Sequence, residues 1–202
     1  MTDDLRRHSP AAERNRVPIL AELQRLLPAT GLLLEIASGT GQHSAYCSGL
    51  PGWRWQPSEF DAGALPSISA WCEGLPRVLA PLQLDVVQLQ WPGVPAQVNA
   101  IYCANLLHIA PWACCAGLMS GAARHLAPHG LLVTYGPYLE DDVFTAPSNT
   151  AFDADLRARD PAWGLRQRED VALVAGQAGL TLRERIAMPA NNLLLVWGRS
   201  RP

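Results

Sequence analysis

Leu34-Glu35-Ile36-Ala37-Ser38-Gly39-Thr40-Gly41 decides how this chain is read. Residues 32–37 form a short apolar run that feeds two glycines one residue apart, and His43 to Leu50 can then be helical until Pro51-Gly52 stops it. The unit is a strand, a glycine turn and a helix. A backbone without Cβ at such a turn lets a ligand approach closely, and the helix start that follows offers free N–H groups. A tight turn that binds nothing would satisfy the same two glycines, so the spacing alone leaves both readings open.

Working outward, strand and helix patterns alternate between the breaks set by 17 prolines and 16 glycines. Residues 11–27 carry Val17, Ile19, Leu20, Leu23, Leu26 and Leu27 at helical spacing before Pro28 and Gly31. Further strands are expected at 53–56, 82–86 and 98–104, with helices over 64–74 and 112–126. Leu131 to Tyr135 forms a strand after a turn at Pro128-His129-Gly130. This alternation predicts an α/β fold with a parallel sheet clad by helices on both faces. At the end, Leu180 to Met188 and Asn192 to Trp197 are separated by only Pro189-Ala190-Asn191. That is too short for a parallel crossover, so the pair must be an antiparallel hairpin and the sheet is expected to have seven strands. Residues 140–168 lack strong periodicity and are expected to be a loop insertion over the site.

The 202 residues suit a single domain, 1–202, in which residues 1–28 are a leading helix or lid. A hydrophobic fraction of 49 % against 17 % charged excludes a disordered chain, and a formal charge of −2 implies no nucleic-acid partner. Cys47, Cys72, Cys103, Cys114 and Cys115 show no C-x-x-C spacing, which points to reduced thiols and no metal. The N-terminus has no apolar stretch of signal type, which suggests a cytoplasmic address. The most apolar window, Ala100 to Met119, holds Asn105, His108 and Pro111, so it reads as core and no membrane contact is expected.

Glu59 lies 18 residues after Gly41 at the end of the second strand, where a carboxylate can accept from both hydroxyls of a ribose. A dinucleotide would favour a third small residue where Ser44 stands, and Glu35 inside an apolar strand asks for a cationic or hydrogen-donating partner. A sulfonium nucleoside carrying an amino acid fits these two features better than a nicotinamide dinucleotide does.

The segment 34–41 resembles the first motif of class I S-adenosylmethionine-dependent methyltransferases, with Ala37 in place of the usual first glycine. Arg14-Asn15 with Pro18-Ile19-Leu20, Trp55-Gln56-Pro57-Ser58, His108-Ile109-Ala110-Pro111-Trp112, Tyr135-Gly136-Pro137-Tyr138, Ala146-Pro147-Ser148-Asn149 and Met188-Pro189-Ala190-Asn191-Asn192 look like the methyltransferase-like protein 26 family. The likeness spans nearly the whole chain and implies a Rossmann-like class I methyltransferase fold with S-adenosylmethionine as cofactor. It places Glu35, Ala37, Ser38, Gly39 and Gly41 at the methionine part, Glu59 at the ribose and Asp85 with Val86 at the adenine. Asn105 and Leu106 would line the cofactor near the fourth strand.

His108 and Tyr138 follow the fourth and fifth strands, where a ligand in an open α/β sheet would sit. His108 is the candidate base for a thiol, hydroxyl or amine, or else an ordinary capping or core histidine. His43 would touch the cofactor, or else lie on a helix surface. Arg14 and Asn15 are expected to fold over the pocket. Trp112 would form its wall, and Ser148, Asn149, Asn191 and Asn192 would orient a small polar substrate, although asparagine also serves turns for its own reasons. The expected function is methyl transfer to a small molecule through an O, S or N nucleophile. The rival is a non-catalytic protein that keeps the cofactor or binds a partner.

Overall fold

The computed structural model describes residues 4–200. The expected domain 1–202 and leading segment 1–28 therefore include residues 1–3 and 201–202 that lie outside the described part. Helix α1 (Pro10–Leu26) starts as its sequence dictates: the Ser9 side chain accepts from Ala12 N–H and Pro10 occupies the first turn, where no amide partner is lost. Strand β1 (Gly31–Ile36) leads through the glycine turn into the short helix α2 (Gln42–Cys47), followed by β2 (Trp53–Glu59) and α3 (Leu65–Cys72). Then come β3 (Leu82–Gln83), β4 (Val98–Ala104), α4 (Ala113–His125) and β5 (Leu126–Gly136). The rest comprises β6 (Tyr138–Leu139), α5 (Pro147–Arg159), β7 (Arg166–Gln167), α6 (Arg168–Gln177), β8 (Leu180–Met188) and β9 (Asn192–Arg199).

The main sheet has seven strands in the order β3-β2-β1-β4-β5-β9-β8, parallel from β3 to β5, with β9 antiparallel to both β5 and β8. Successive residues of the central strands are buried on opposite faces. Leu34, Ile101, Leu132 and Leu195 pack with Leu118, Met119 and Val171 of α4 and α6. Their neighbours Leu33, Ala100, Val133 and Leu194 pack with Ile19 and Leu23 of α1 and with Trp53 and Trp55. Two-sided burial is why these strands read as continuous apolar runs. The strand order reverses between β1 and β4, so the crevice beyond their carboxyl ends is where such a sheet holds a ligand.

Four details differ from the sequence reading. Strand β3 ends at Gln83 because Asp85 turns the chain, its Oδ1 accepting from Val87 N–H at 3.0 Å. The expected turn at 128–130 lies inside β5 as an irregularity, since Val98 pairs with Leu126 but Ala100 pairs with Leu131. Residues 147–159 form a helix: Pro147, read as a break, is its first residue, and Arg157 pairs with Asp153 one turn back. A second, two-stranded sheet joins Tyr138 to Arg166 and Leu139 to Gln167.

Candidate functional site

The glycine turn after β1 carries three left-handed residues, Ala37 (φ +56°), Gly39 (φ +57°) and Gly41 (φ +92°). Ser38 N–H donates to Ser58 O at 2.9 Å and Gly41 N–H to Ser38 O at 3.0 Å, which ties the turn to the end of β2. The two glycines serve different ends. A Cβ on Gly41 would stand 2.6 Å from Ile68 Cα, so this position lets α3 pack against the turn. A Cβ on Gly39 would meet nothing within 4 Å, so Gly39 faces open space at the mouth of the crevice. Its N–H donates to Glu59 Oε2 at 2.8 Å, while Glu59 Oε1 accepts from Phe60 N–H at 2.8 Å. Ala37 holds its Cβ in a left-handed conformation that disfavours one.

Glu35 is 2 % exposed, and its Oε2 accepts from the Ser44 hydroxyl and from Trp55 Nε1–H, the latter at 2.6 Å. Burial pushes its carboxyl up to about 7 against the pull of these donors. The hydrogen-donating partners that its place in the strand demanded are therefore supplied by the protein itself. Ser44, which stands where a dinucleotide fingerprint has glycine, is one of them.

Beyond β2, Phe60 is 67 % exposed directly after Glu59. Phe60 was not among the expected site residues, and its only signal in the sequence is a large apolar side chain between two acids at a strand end. Asp85 faces the same end of the sheet on the turn after β3. Val86 is buried, its carbonyl accepting from Trp91 Nε1–H at 3.3 Å. Asn105 is left-handed (φ +63°) at the end of β4, with its N–H on Tyr135 O at 2.8 Å, and Leu106 packs on the core behind it.

His108 is buried beside the ends of β4 and β5. The absent Cβ of Gly136 would come 3.2 Å from His108 Nδ1 and 3.7 Å from Asn105 Oδ1, so these three residues form one small cluster. Phe152 of α5 meets the imidazole edge to face at 5.6 Å. Burial, with the Arg166 cation nearby, lowers the imidazole to about 4, so it is neutral at physiological pH. Arg166 donates to Leu107 O and Ala110 O, both at 2.8 Å, and lies over the Trp112 ring at 5.5 Å, which fixes the loop that carries His108. Nothing in its proline- and glycine-rich surroundings marked Arg166 in the sequence.

The remaining candidates fall into two groups. Asn15 Oδ1 accepts from His43 Nε2–H at 2.7 Å, and the other ring nitrogen of His43 faces the Tyr102 hydroxyl at 3.4 Å. Both nitrogens of His43 are thus engaged within the protein, and burial lowers its pKa to about 4. Arg14 is exposed near Tyr135 and makes no ion pair among the described residues. On the other side, Asn149 Nδ2 donates to Asn191 O at 3.0 Å and Asn191 Nδ2 to Ser148 Oγ at 3.3 Å, tying α5 to the hairpin tip. Asn192 Nδ2 caps its own turn on Pro189 O and Ala190 O. Tyr138 is buried, with its hydroxyl on Thr134 Oγ1 at 3.0 Å, so that only its ring is available to a ligand.

The five thiols are unpaired, and burial raises Cys47 and Cys103 far above the ordinary cysteine range. Among the described residues no three His, Cys, Asp or Glu side chains converge as metal ligands would. No helix among them is long and apolar enough to cross a membrane.

Residues 6–199 match the family described as a protein of unknown function, DUF938. The chain belongs to that family. The fold of this DUF938 protein is the Rossmann-like fold of class I methyltransferases, seen in solved structures that share little sequence with it. The mitomycin 7-O-methyltransferase is 15 % identical, with a TM-score of 0.80 over 94 % of this chain and 54 % of its own. An O-methyltransferase family protein from Burkholderia thailandensis is 17 % identical, with a TM-score of 0.79 over 94 % of this chain and 57 % of its own. Human N-acetylserotonin methyltransferase, solved in complex with S-adenosylmethionine, is 14 % identical, with a TM-score of 0.75 over 95 % and 53 %. The DUF938 chain thus spans little more than half the length of these proteins, and the likeness to them is one of fold.

Proposed function

We propose that this DUF938 protein is an S-adenosylmethionine-dependent methyltransferase acting on a small-molecule acceptor, akin to the methyltransferase-like protein 26 group. The observation that carries the reading is the open cradle at Gly39, whose N–H is fixed by Glu59 at the strand-order reversal. The residues present fit the cofactor. Gly39 leaves room for the methionine part, Glu59 Oε2 keeps a lone pair for a ribose hydroxyl beside the N–H groups of Gly39, Phe60 and Asp61, and exposed Phe60 offers a face for adenine at the sheet end that also carries Asp85 and Val86. Glu35, engaged by Ser44 and Trp55, acts through the shape of the turn, and His43 with Asn15 anchors α1 beside it.

When bound, the cofactor supplies an electrophilic methyl carbon on a sulfonium. His108, neutral and next to Asn105 and Gly136, accepts the hydrogen of the incoming nucleophile and so aims its lone pair. As the nucleophile's bond to the methyl carbon forms and the carbon's bond to sulfur breaks, the nucleophile's proton passes to the imidazole, which releases it to solvent once the site opens for product release. Phe152 and the Arg166-held loop keep water out and hold the ring in place. The five unpaired thiols suit a reducing, cytoplasmic compartment.

Calorimetry with S-adenosylmethionine and S-adenosylhomocysteine tests the reading. Wild-type protein should bind both, and Gly39→Arg, which fills the open space, should bind neither while its circular dichroism stays unchanged. Absence of binding to folded wild type removes the reading.

A further inference from the structure

A cavity of about 210 Å³ lies between residues 143–146, the first turn of α5 and the tip of the β8–β9 hairpin. Its apolar walls come from Tyr138, Val143, Phe144, Met188 and Leu193. An apolar cavity of about 150 Å³ is enough for benzene, so this one has the size of a single substituted ring. Phe144 is 87 % exposed at its lip, an apolar side chain that would lose water contact against an occupant.

Two polar features define what that occupant carries. Asn149 also lines the cavity, at 9 % exposure, and donates Nδ2 to Asn191 O; this fixes the amide and leaves Oδ1 without a donor among the described residues. That oxygen is open to the cavity and free to accept an O–H or N–H from an occupant. The one charged wall is balanced. Arg185 places Nε and Nη2 on the Glu140 carboxylate at 2.9 and 2.5 Å, and Arg168 bridges Glu140 and Glu169. Two arginines against two glutamates leave no free charge for a carboxylate or an ammonium.

We propose that this cavity binds an uncharged, ring-sized molecule through a hydroxyl that donates to Asn149 Oδ1. This deepens the methyltransferase reading, and rests on it, by giving the acceptor a chemical class: a neutral hydroxyl-bearing ring. Asn149 and Phe152 are three residues apart on α5 and share a face, so the helix that lines the cavity also covers His108.

Fluorine NMR on the full chain tests the proposal with 4-fluorophenol, fluorobenzene and 4-fluorobenzoate as probes. Wild type should bind 4-fluorophenol with a millimolar dissociation constant and the other two at least about fivefold more weakly. Ala187→Trp, which projects bulk into the cavity wall, should abolish binding. Asn149→Ala should erase the preference for the phenol over fluorobenzene. Equal binding of the three probes, no binding of 4-fluorophenol, or binding that survives Ala187→Trp would overturn it. The Ala187 variant leaves the Asn149–Asn191 tie intact, so a folding defect in Asn149→Ala does not blur the outcome. No cofactor is needed, so failure here leaves the calorimetric result standing, and failure of cofactor binding leaves the cavity result standing.

Discussion

The indole N–H of Trp55 donates to the carboxylate of Glu35 at 2.6 Å between the buried stretches of β1 and β2. Burial outweighs this hydrogen bond and raises the carboxyl to about 7 from an ordinary 4.5. Between those pH values the folded protein holds a proton that the unfolded chain has released. Glu35 therefore lowers stability as pH rises from about 4.5 to about 7, by about 3 kcal/mol in total. Glu35→Gln keeps an acceptor for Trp55 and Ser44 without the charge. Its denaturant-unfolding free energy at pH 8 should exceed that of wild type, with the difference vanishing near pH 4. A difference that is flat with pH would contradict the assignment.

His43 and His108 act in the opposite sense. Both are held neutral to about pH 4, whereas an unfolded histidine protonates near 6.5, so stability is lost as pH falls through this window. Replacing Arg166 by Gln removes a cation that helps depress His108, and its imidazole titration, followed by proton NMR, should move upward while that of His43 stays in place. Unchanged titration of His108 would show that burial alone sets it.

The two glycines of the turn should separate stability from ligand binding. Gly41→Ala places a methyl 2.6 Å from the Ile68 backbone in a left-handed conformation, and should cost about 3 kcal/mol or more in thermal or denaturant unfolding. Gly39→Ala meets open space, and should cost only about 1 kcal/mol while weakening S-adenosylhomocysteine binding in calorimetry. If Gly39→Ala binds as wild type does, the cradle has been placed on the wrong residue.

Gly136→Ala presses a methyl to 3.2 Å from His108 Nδ1. Turnover, measured as S-adenosylhomocysteine release once an acceptor is in hand, should fall by about 10- to 100-fold because a displaced ring no longer aims the nucleophile. Cofactor affinity should hold. Loss of both together would mean that Gly136 supports the cradle and not the imidazole.

The alternation of apolar runs with glycine and proline breaks determined the mostly parallel seven-stranded sheet, the antiparallel C-terminal pair and the place of the glycine turn, because two-sided burial and short connections leave few alternatives. Periodicity could not locate α5, since Pro147 reads alike as a helix start and as a break and its apolar stripe is weak. Long-range partners lay wholly outside what local pattern reports. Glu35 in an apolar strand announced that something must meet it, yet only folding shows that Ser44 and Trp55 do so. Likewise the sequence marks His108, Asn149 and Asn191 as polar residues of interest. Which nitrogen or oxygen remains free depends on contacts such as Asn149 with Asn191, 42 residues apart, and Arg166 with Leu107, 59 residues apart. Hydrogen-bonding capacity is a property of the side chain; whether it is used up depends on packing, and packing is settled only in three dimensions.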